Sequence, residues 1–511
     1  VTVSVPFTQN NPGTKSIDIQ KLFPQQTADA QQSKLTVEYT NNPAWLMIQA
    51  LPSMSIVESD NVISLCQSYY SSVIGKSIMN SSPKIKTIVD SWKAEKGSDN
   101  SFISNLQKNQ ELKDIVLSET PWVTDADKET SQKQALINYF DENTLDSRTN
   151  NAINKMKELQ RPDGSWSWFK EMDGSMYMTT TVAEMLVRLN KMCGRQESSE
   201  EMLDRAFKFM DKDVVKMVAQ MQAEEKKGHP QSFPAFNTLH YLYLCALDGR
   251  KLPSDVVAAN EYLISLMKKE IKNQSIYEKA LSAIILQENG NTTKAKEYAQ
   301  SLKQYTVMTE EMGRYYDTRR ANYSWCDYKI PTEVAVIEAL KNITPDDQTT
   351  NNEMLRWLLQ EKRTQTWDTP INSVNAVYAF LNGNISVLAG QEQTVLAIDG
   401  KKLEIPTTTA GIGYVKTAVQ PTSKMSTLTA TKTSTGTSWG AVYAQYMSNT
   451  SNISKSNSGI ILDREIISSG DLQVGDKVKV RLTITSDRDY DFVQVIDKRA
   501  ACMEPVNQLS G

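Results

Sequence analysis

At 511 residues the chain has room for two to four domains, and its 56 basic and 60 acidic residues leave a net charge of −4, which gives no electrostatic reason to expect nucleic acid or an anionic membrane. Five scattered cysteines, Cys66, Cys193, Cys245, Cys326 and Cys502, form no C-x-x-C pair, so neither a zinc site nor a disulfide framework is indicated. No apolar run approaches the ~18 residues of a membrane span, and VTVSVPFTQN carries neither the charged nor the apolar region of a signal peptide.

Residues 1–50 show little helical periodicity, but KLTVEYT places Leu35, Val37 and Tyr39 on one face, which reads as a strand. From about Asp60 to Asn382 the pattern is helical nearly throughout, as in QALINYFDE, TLHYLYLCAL and IYEKALSAIILQ, with roughly twelve helices joined by short loops. After Asn384 it changes to strands. TVLAIDGKKLEI holds an Asp-Gly turn between two apolar-rich runs, a hairpin signal. TLTATKTSTGTSWGAVYAQY reads as sheet turning through Gly436, and KVKVRLTITSD and DFVQVID read as further strands. SNTSNISKSNSG, 448–459, reads as a linker. An isolated strand before the helices and several after them imply helices inserted into a β-sandwich, with the strand near Leu35 pairing with those near Val395. The absent initiator methionine and the end at NQLSG suggest a segment of something longer.

Three turn-tryptophan-helix units form a degenerate repeat. The first is RPDGSWSWF with Trp166 and Trp168, the second NYSWCDYKIPTEVAVIEAL with Trp325 and a helix opening at Pro331. The third is TQTWDTPINSVNAVYAFL with Trp367, Thr369 as N-cap and Pro370 as first helical residue.

Among side chains that could carry chemistry, the two histidines stand apart. His229, in KKGHPQ, belongs to a solvated loop. His240, in NTLHYLYLCAL, suits a satisfied core residue better than a catalytic one. The run GRYYDTRRANYSWCDYK concentrates Arg314, Tyr315, Tyr316, Arg319, Arg320 and Tyr323. This composition fits an interaction surface or carbohydrate stacking, and equally a long connection packed on one rim of the helical domain. No clustered acid motif or phosphate-cradling glycine loop accompanies them, so catalysis is not supported.

KLTVEYTNNPAWLMIQALP, DGSWSWF, TQTWDTPINSVNAVYAFL, SWGAVYAQY and DRDYDFVQVIDKRAACMEP together resemble the C-terminal half of a bacterial alpha-2-macroglobulin-family protein of the Bacteroides type. The resemblance implies a multidomain α and β chain. An alpha/alpha toroid of helical hairpins, the thioester domain, is inserted in a CUB-like β-sandwich, and a macroglobulin-like β-sandwich segment follows. The boundaries expected are 1–50 for the first part of the CUB-like sandwich, 51–383 for the toroid, 384–448 for the rest of the sandwich and 449–511 for a partial terminal β domain. In such toroids the turn tryptophans resemble wedges where the inner helices begin.

The family's thioester joins a cysteine to a glutamine three residues on in a Cys-x-Glu-Gln motif, a spacing that puts both on one side of a helical turn. The motif follows a Leu-Pro segment and precedes a Tyr-Tyr pair. Here the segment reads ALPSMSIVESDNVISLCQSYYSS. Anchored on Tyr69 and Tyr70, the motif positions hold Asn61, Ile63 and Ser64, so neither thiol nor acyl donor is present. Cys66 has Tyr69 three residues on and reads as a small buried residue. Cys193 to Gln196, CGRQ, keeps the spacing but ends a helix, with Gly194 as its cap.

The resemblance implies an extracytoplasmic protein, periplasmic or envelope-associated, with its signal or lipoprotein anchor outside this segment. Its partners would be proteases, trapped without covalent capture, and other domains of the same polypeptide, with no cofactor or metal. The rivals are a carbohydrate-active toroid enzyme, a polysaccharide lyase or glycosidase, and a non-inhibitory envelope scaffold.

Overall fold

The computed structural model describes residues 2–9, 11–22, 31–41, 47–48, 50–57, 59–81, 85–87, 89–90, 134–234, 236–268, 274–309, 313–317, 329–364, 369–383, 394–404, 414–421, 425–433, 438–447, 449, 460–468, 470, 472–487, 493, 495–504 and 506. Trp325, Trp367, Gly436, Cys326, Arg319, Arg320, Tyr323 and nearly all of the linker at 448–459 lie outside them. Two compact units are present, one comprising Thr2–Pro24 and Lys34–Ala444, the other holding Gln445–Gly511.

The first unit opens with strands β1 (Thr2–Gln9), β2 (Gly13–Asp18) and β3 (Gln31–Thr40). The helices follow: α1 (Leu51–Met54), α2 (Val62–Ser81), α3 (Glu142–Leu159), α4 (Met176–Cys193), α5 (Glu197–Lys226), α6 (Phe236–Asp248), α7 (Ser254–Met267), α8 (Ile276–Glu288) and α9 (Thr292–Gln304). A short hairpin, β4 (Val307–Thr309) and β5 (Gly313–Tyr315), precedes α10 (Lys329–Ile343), α11 (Gln348–Thr364) and α12 (Pro370–Leu381).

Contacts among these helices describe a closed ring. The even-numbered helices α2, α4, α6, α8, α10 and α12 touch in succession, and α12 returns to α2. The odd-numbered ones form an outer layer: α3 packs on α2, α5 on α4, α7 on α5, α9 on α8 and α10, and α11 on α10. Their sequences account for the two layers. Every residue of α12 from Asn372 to Leu381 is buried, as is α8 from Lys279 to Leu286, so these stretches are covered on all sides. In α5 and α9 the buried residues recur at helical spacing along one stripe, which suits a helix with one wet face.

Caps fix the helix starts. Thr369 accepts from Asn372 N with Pro370 in the first turn, and Ser275 and Glu278 form a reciprocal capping box on α8. Gly194, at φ 82°, ends α4. The second tryptophan unit opens its helix two residues earlier than its proline suggests, at Lys329, with Pro331 still within the first turn.

In the RPDGSW turn Trp166 is fully buried and its indole N–H donates to Met156 O at 3.2 Å. The turn comes so close to α5 that a Cβ on Gly164 would meet Arg205 O at 2.1 Å, and its φ of +93° also favours glycine. Trp166 therefore acts as a wedge. Trp168 instead stacks on Tyr177 at 5.3 Å with one face towards solvent.

Strands resume with β6 (Val395–Ile398), β7 (Lys401–Lys402), β8 (Tyr414–Val419), β9 (Thr427–Lys432) and β10 (Ser438–Met447), followed in the second unit by β11 (Ile460–Ile467) and β12 (Lys479–Ser486). Two four-stranded sheets, ordered β1-β10-β3-β8 and β2-β9-β6-β7, share one core of Phe7, Ile17, Leu35, Val37, Tyr39, Leu396, Ile398, Leu428 and Val442 among others. Both sheets mix strands from before and after the helices, so the ring is an insertion in this sandwich. The Asp399-Gly400 turn joins β6 and β7, with both residues at positive φ.

Three strand expectations are corrected. The Leu35 strand pairs with β8, Leu35 opposite Val419, while Val395 pairs with Thr431 in the other sheet. Both strands carry an apolar face, and the faces meet across the sandwich instead of lying side by side. Strands β9 and β10, read as one turning unit, belong to different sheets. In DFVQVID the described residues, Val493 and Val495 to Asp497, are not in a strand, because β12 pairs only with β11 among the described strands. Period-two alternation there does not supply a ladder partner.

Candidate functional site

Helix α2 begins where the acyl-forming residues were sought. Asn61 caps it: its Oδ1 accepts from Ser64 N at 2.9 Å, and its carbonyl accepts from Leu65 N at 3.1 Å. The Asn61 amide also meets Ser59 Oγ, which lies 3.3 Å from Ser64 Oγ. Ser64 is buried and Ile63 packs against the core. Further hydroxyls fasten α2 to the α1 segment: Ser68 Oγ donates to Ser55 O at 2.8 Å and Ser71 Oγ to Leu51 O at 2.7 Å. The Leu-Pro segment and the start of α2 are thus joined by a polar cap with no thiol among its members.

Cys66 sits one turn further on, fully buried, and burial pushes its thiol pKa up. Tyr69 and Tyr70 are buried beside it, Tyr69 OH lying 2.7 Å from Ser198 Oγ. At Cys193–Gln196, burial raises the thiol to about 11, partly offset by Ser77. The Gln196 amide nitrogen donates to Gly194 O at 2.7 Å and Cys193 O at 3.4 Å, so the side chain folds back onto the backbone of the helix end.

His240 belongs to a network that sequence inspection missed. It spans four inner helices. His240 Nε2 on α6 meets Glu184 Oε2 on α4, and Glu184 Oε1 pairs with Arg188 one turn on. Arg188, 2 % exposed, donates from Nε to Tyr243 OH at 3.1 Å and from Nη1 to Asn375 Oδ1 on α12 at 2.8 Å. Its Nη2 lies 3.5 Å from Glu338 Oε2 on α10. Tyr243 and Tyr378 each donate to Glu338 at 2.6 Å, and both rings flank the guanidinium.

Burial alone would raise the Glu184 pKa, but Arg188 and His240 overcome it and hold the carboxyl at about 2. Burial likewise opposes the Arg188 charge, and Glu184, Tyr243 and Glu338 outweigh it. The arrangement is a buried polar core, inaccessible to a substrate. His229 is exposed and meets Glu224 at 2.9 Å.

The aromatic-arginine run is described only in part. Arg314 bonds Glu353 at 2.8 Å and Thr306 Oγ1 at 2.8 Å, and Tyr315 stacks on buried Trp357 at 6.1 Å. Tyr316 is buried and donates to Leu302 O at 2.9 Å, so it contributes no surface, a correction to its expected role. The three residues anchor the β4–β5 hairpin to α9 and α11. Arg319, Arg320 and Tyr323 fall outside the described residues.

Residues 127–366 match the A-macroglobulin TED domain family, and residues 444–511 match the Bacterial Alpha-2-macroglobulin MG10 domain family. The chain belongs to the bacterial alpha-2-macroglobulin family. The TED match falls within the helical ring, which is this family's alpha/alpha toroid, and the MG10 match covers β11 and β12.

Similar solved structures include native alpha-2-macroglobulin from Escherichia coli, from domain MG7 to the C-terminus, at 13 % identity and TM-score 0.41, covering 95 % of this chain and 64 % of that one. Escherichia coli alpha-2-macroglobulin activated by porcine elastase matches at 13 % identity and TM-score 0.45, covering 95 % and 37 %. Salmonella alpha-2-macroglobulin reacted with methylamine matches at 12 % and 0.40, covering 95 % and 27 %. The chain therefore spans less than two thirds of each. No curated protein sequence matches it.

Proposed function

We propose that this chain is the C-terminal part of a bacterial alpha-2-macroglobulin that traps proteases without covalent capture. Membership of the family supports the trapping role. The observation that carries the non-covalent part is the start of α2, where Asn61, Ile63 and Ser64 stand at the positions that the resemblance assigns to the thioester and Asn61 caps the helix through Ser64 N. A thiol and a carboxamide must face each other to make the strained acyl bond. Here the cap side chain is consumed by Ser64 N, and the nearest thiol, Cys66, is sealed inside the core.

The same reading divides residues 1–50 and 384–448 into a CUB-like sandwich around the toroid and places the protein outside the cytoplasm, in the periplasm or envelope. A carbohydrate-active toroid is less well supported, since the candidate histidine is held in a buried ion network. The test is to incubate the complete polypeptide with an endoprotease and follow both compaction, by small-angle scattering, and linkage, by denaturing electrophoresis. Compaction with all protease released on denaturation is expected. A denaturation-resistant protease adduct would overturn the non-covalent reading, and cleavage without compaction would overturn trapping.

A further inference from the structure

The chain leaves the sandwich for the toroid after β3 and returns to it before β6. One buried polar knot holds both points. Thr394, just before β6, donates from Oγ1 to Asn41 Oδ1, just after β3, and lies 3.3 Å from the Tyr39 hydroxyl. Ser438, at the start of β10, donates to Asn41 O at 3.3 Å. Lys432, at the end of β9, donates from Nζ to Ser438 Oγ and to Gln9 O at the end of β1, both at 3.0 Å. Tyr39, Thr394, Lys432 and Ser438 are all buried. Strand alternation carries the knot to the helices. Trp439, the next residue on β10, packs on the toroid core and meets the Phe380 ring of α12 edge to face at 6.4 Å.

We propose that the Lys432 amine is a latch on this junction between sandwich and toroid, loose while the amine carries charge and tight once it is neutral. An ammonium is costly to bury, and burial pulls the Lys432 pKa down to about 8. The neutral amine keeps two N–H groups, enough for Ser438 Oγ and Gln9 O, so losing the proton removes the cost and leaves the contacts. The folded amine titrates at about 8 and the unfolded one at 10.5, so between those values the unfolded chain binds the extra proton and stability rises with pH. The junction is therefore weakest at neutral pH and below, where the toroid parts most readily from its seat. Among the described residues, the groups facing Lys432 do not reverse this sign. Gln9, Asn41, Thr394 and Ser438 do not titrate, Gly13 of β2 lies opposite in the ladder, and burial holds the Tyr39 phenol above its ordinary 10. Burial also raises the thiols of Cys66, Cys193 and Cys245, and their linkage lowers stability as pH rises. A gain confined to the junction is thus distinctive.

Native-state proteolysis at low protease concentration reads local opening, because opening and closing then outpace cleavage. The protease is one active from about pH 7 to about 9.5, and each rate is divided by that on a short unstructured peptide. Cleavage within residues 39–41, 394–396 and 438–442 should slow roughly tenfold or more across that range. Lys432→Met and Lys432→Gln cannot titrate and should lose the slope, whatever their baseline stability. Lys15→Met, which removes an exposed lysine of the same sandwich bonded to Thr8 O, should keep it. A wild-type rate without the slope would overturn the proposal. So would a slope that survives both Lys432 substitutions, or one matched by cleavage within α8 of the toroid, which would make the effect global.

Discussion

The toroid buries charge, whereas the terminal hairpin exposes hydrocarbon. Arg188, Glu184 and Glu338 lie in the middle of the ring, almost without solvent, while Leu462 and Ile484 stand in water on the hairpin. The difference follows from closure. Six inner helices arranged in a ring can direct carboxylates, a guanidinium, phenols and an amide to one point, so each buried polar group meets partners from other helices. Two strands cannot enclose anything, and the apolar face of β11 and β12 has no second layer among the described residues of its unit. Burial class is set by how many elements converge on a residue, as much as by its own polarity.

The largest test of that contrast is Arg188→Met. It would leave Glu184 and Glu338 buried without their shared cation, a situation that costs about 3–5 kcal/mol when one partner of a buried ion pair is removed. Chemical denaturation should show a loss of that order in the toroid, with the hairpin register unaffected. A loss under about 1 kcal/mol would mean that the network is wetter than its geometry indicates.

Acid gives the next effect. Glu184 is held at about 2 when folded, below its ordinary 4.5, so the unfolded chain binds the extra proton between those values. The pair's contribution is complete above about 4.5 and is lost as pH falls towards about 2. Thermal midpoints should drop steeply across that window, and Glu184→Gln should flatten the slope.

Smaller again is Asn61→Ala, which removes the α2 cap and should cost about 1 kcal/mol in an unfolding titration. Arg481→Ala on the hairpin breaks an exposed pair with Glu465 at 3.1 Å and should change stability by no more than a few tenths of a kcal/mol. A hairpin pair that matched the Arg188 effect would erase the distinction between the two regions.

What could be read without coordinates was local. Thr369 and Pro370 at the start of α12, Gly194 at the end of α4 and the Asp399-Gly400 turn each act through backbone groups within a few residues, so their chemistry is written in short stretches. The ion network was not legible, because its members come from helices far apart in sequence: Arg188 and Asn375 are separated by 187 residues. In its own stretch, MLVRLNKM, Arg188 reads as a polar interruption of an apolar stripe. The sheet partners of the Leu35 strand were misread for a related reason. An alternating strand declares which face is apolar, and in a sandwich both the neighbour and the opposite sheet satisfy that demand. At the start of α2 the identities of Asn61, Ile63 and Ser64 were legible, but the serine-rich cap in which Asn61 and Ser64 take part was not.

The central claim is that no acyl bond exists in this chain, and intact mass combined with thiol counting tests it most directly. Formation of a thioester between cysteine and glutamine expels one ammonia, and a small amine then releases a thiol. The account predicts the full sequence mass and a thiol count that is the same before and after methylamine. A deficit of one ammonia, mapped by peptide analysis to Cys193–Gln196 or to the segment around Cys66, with a thiol appearing on amine treatment, would contradict it.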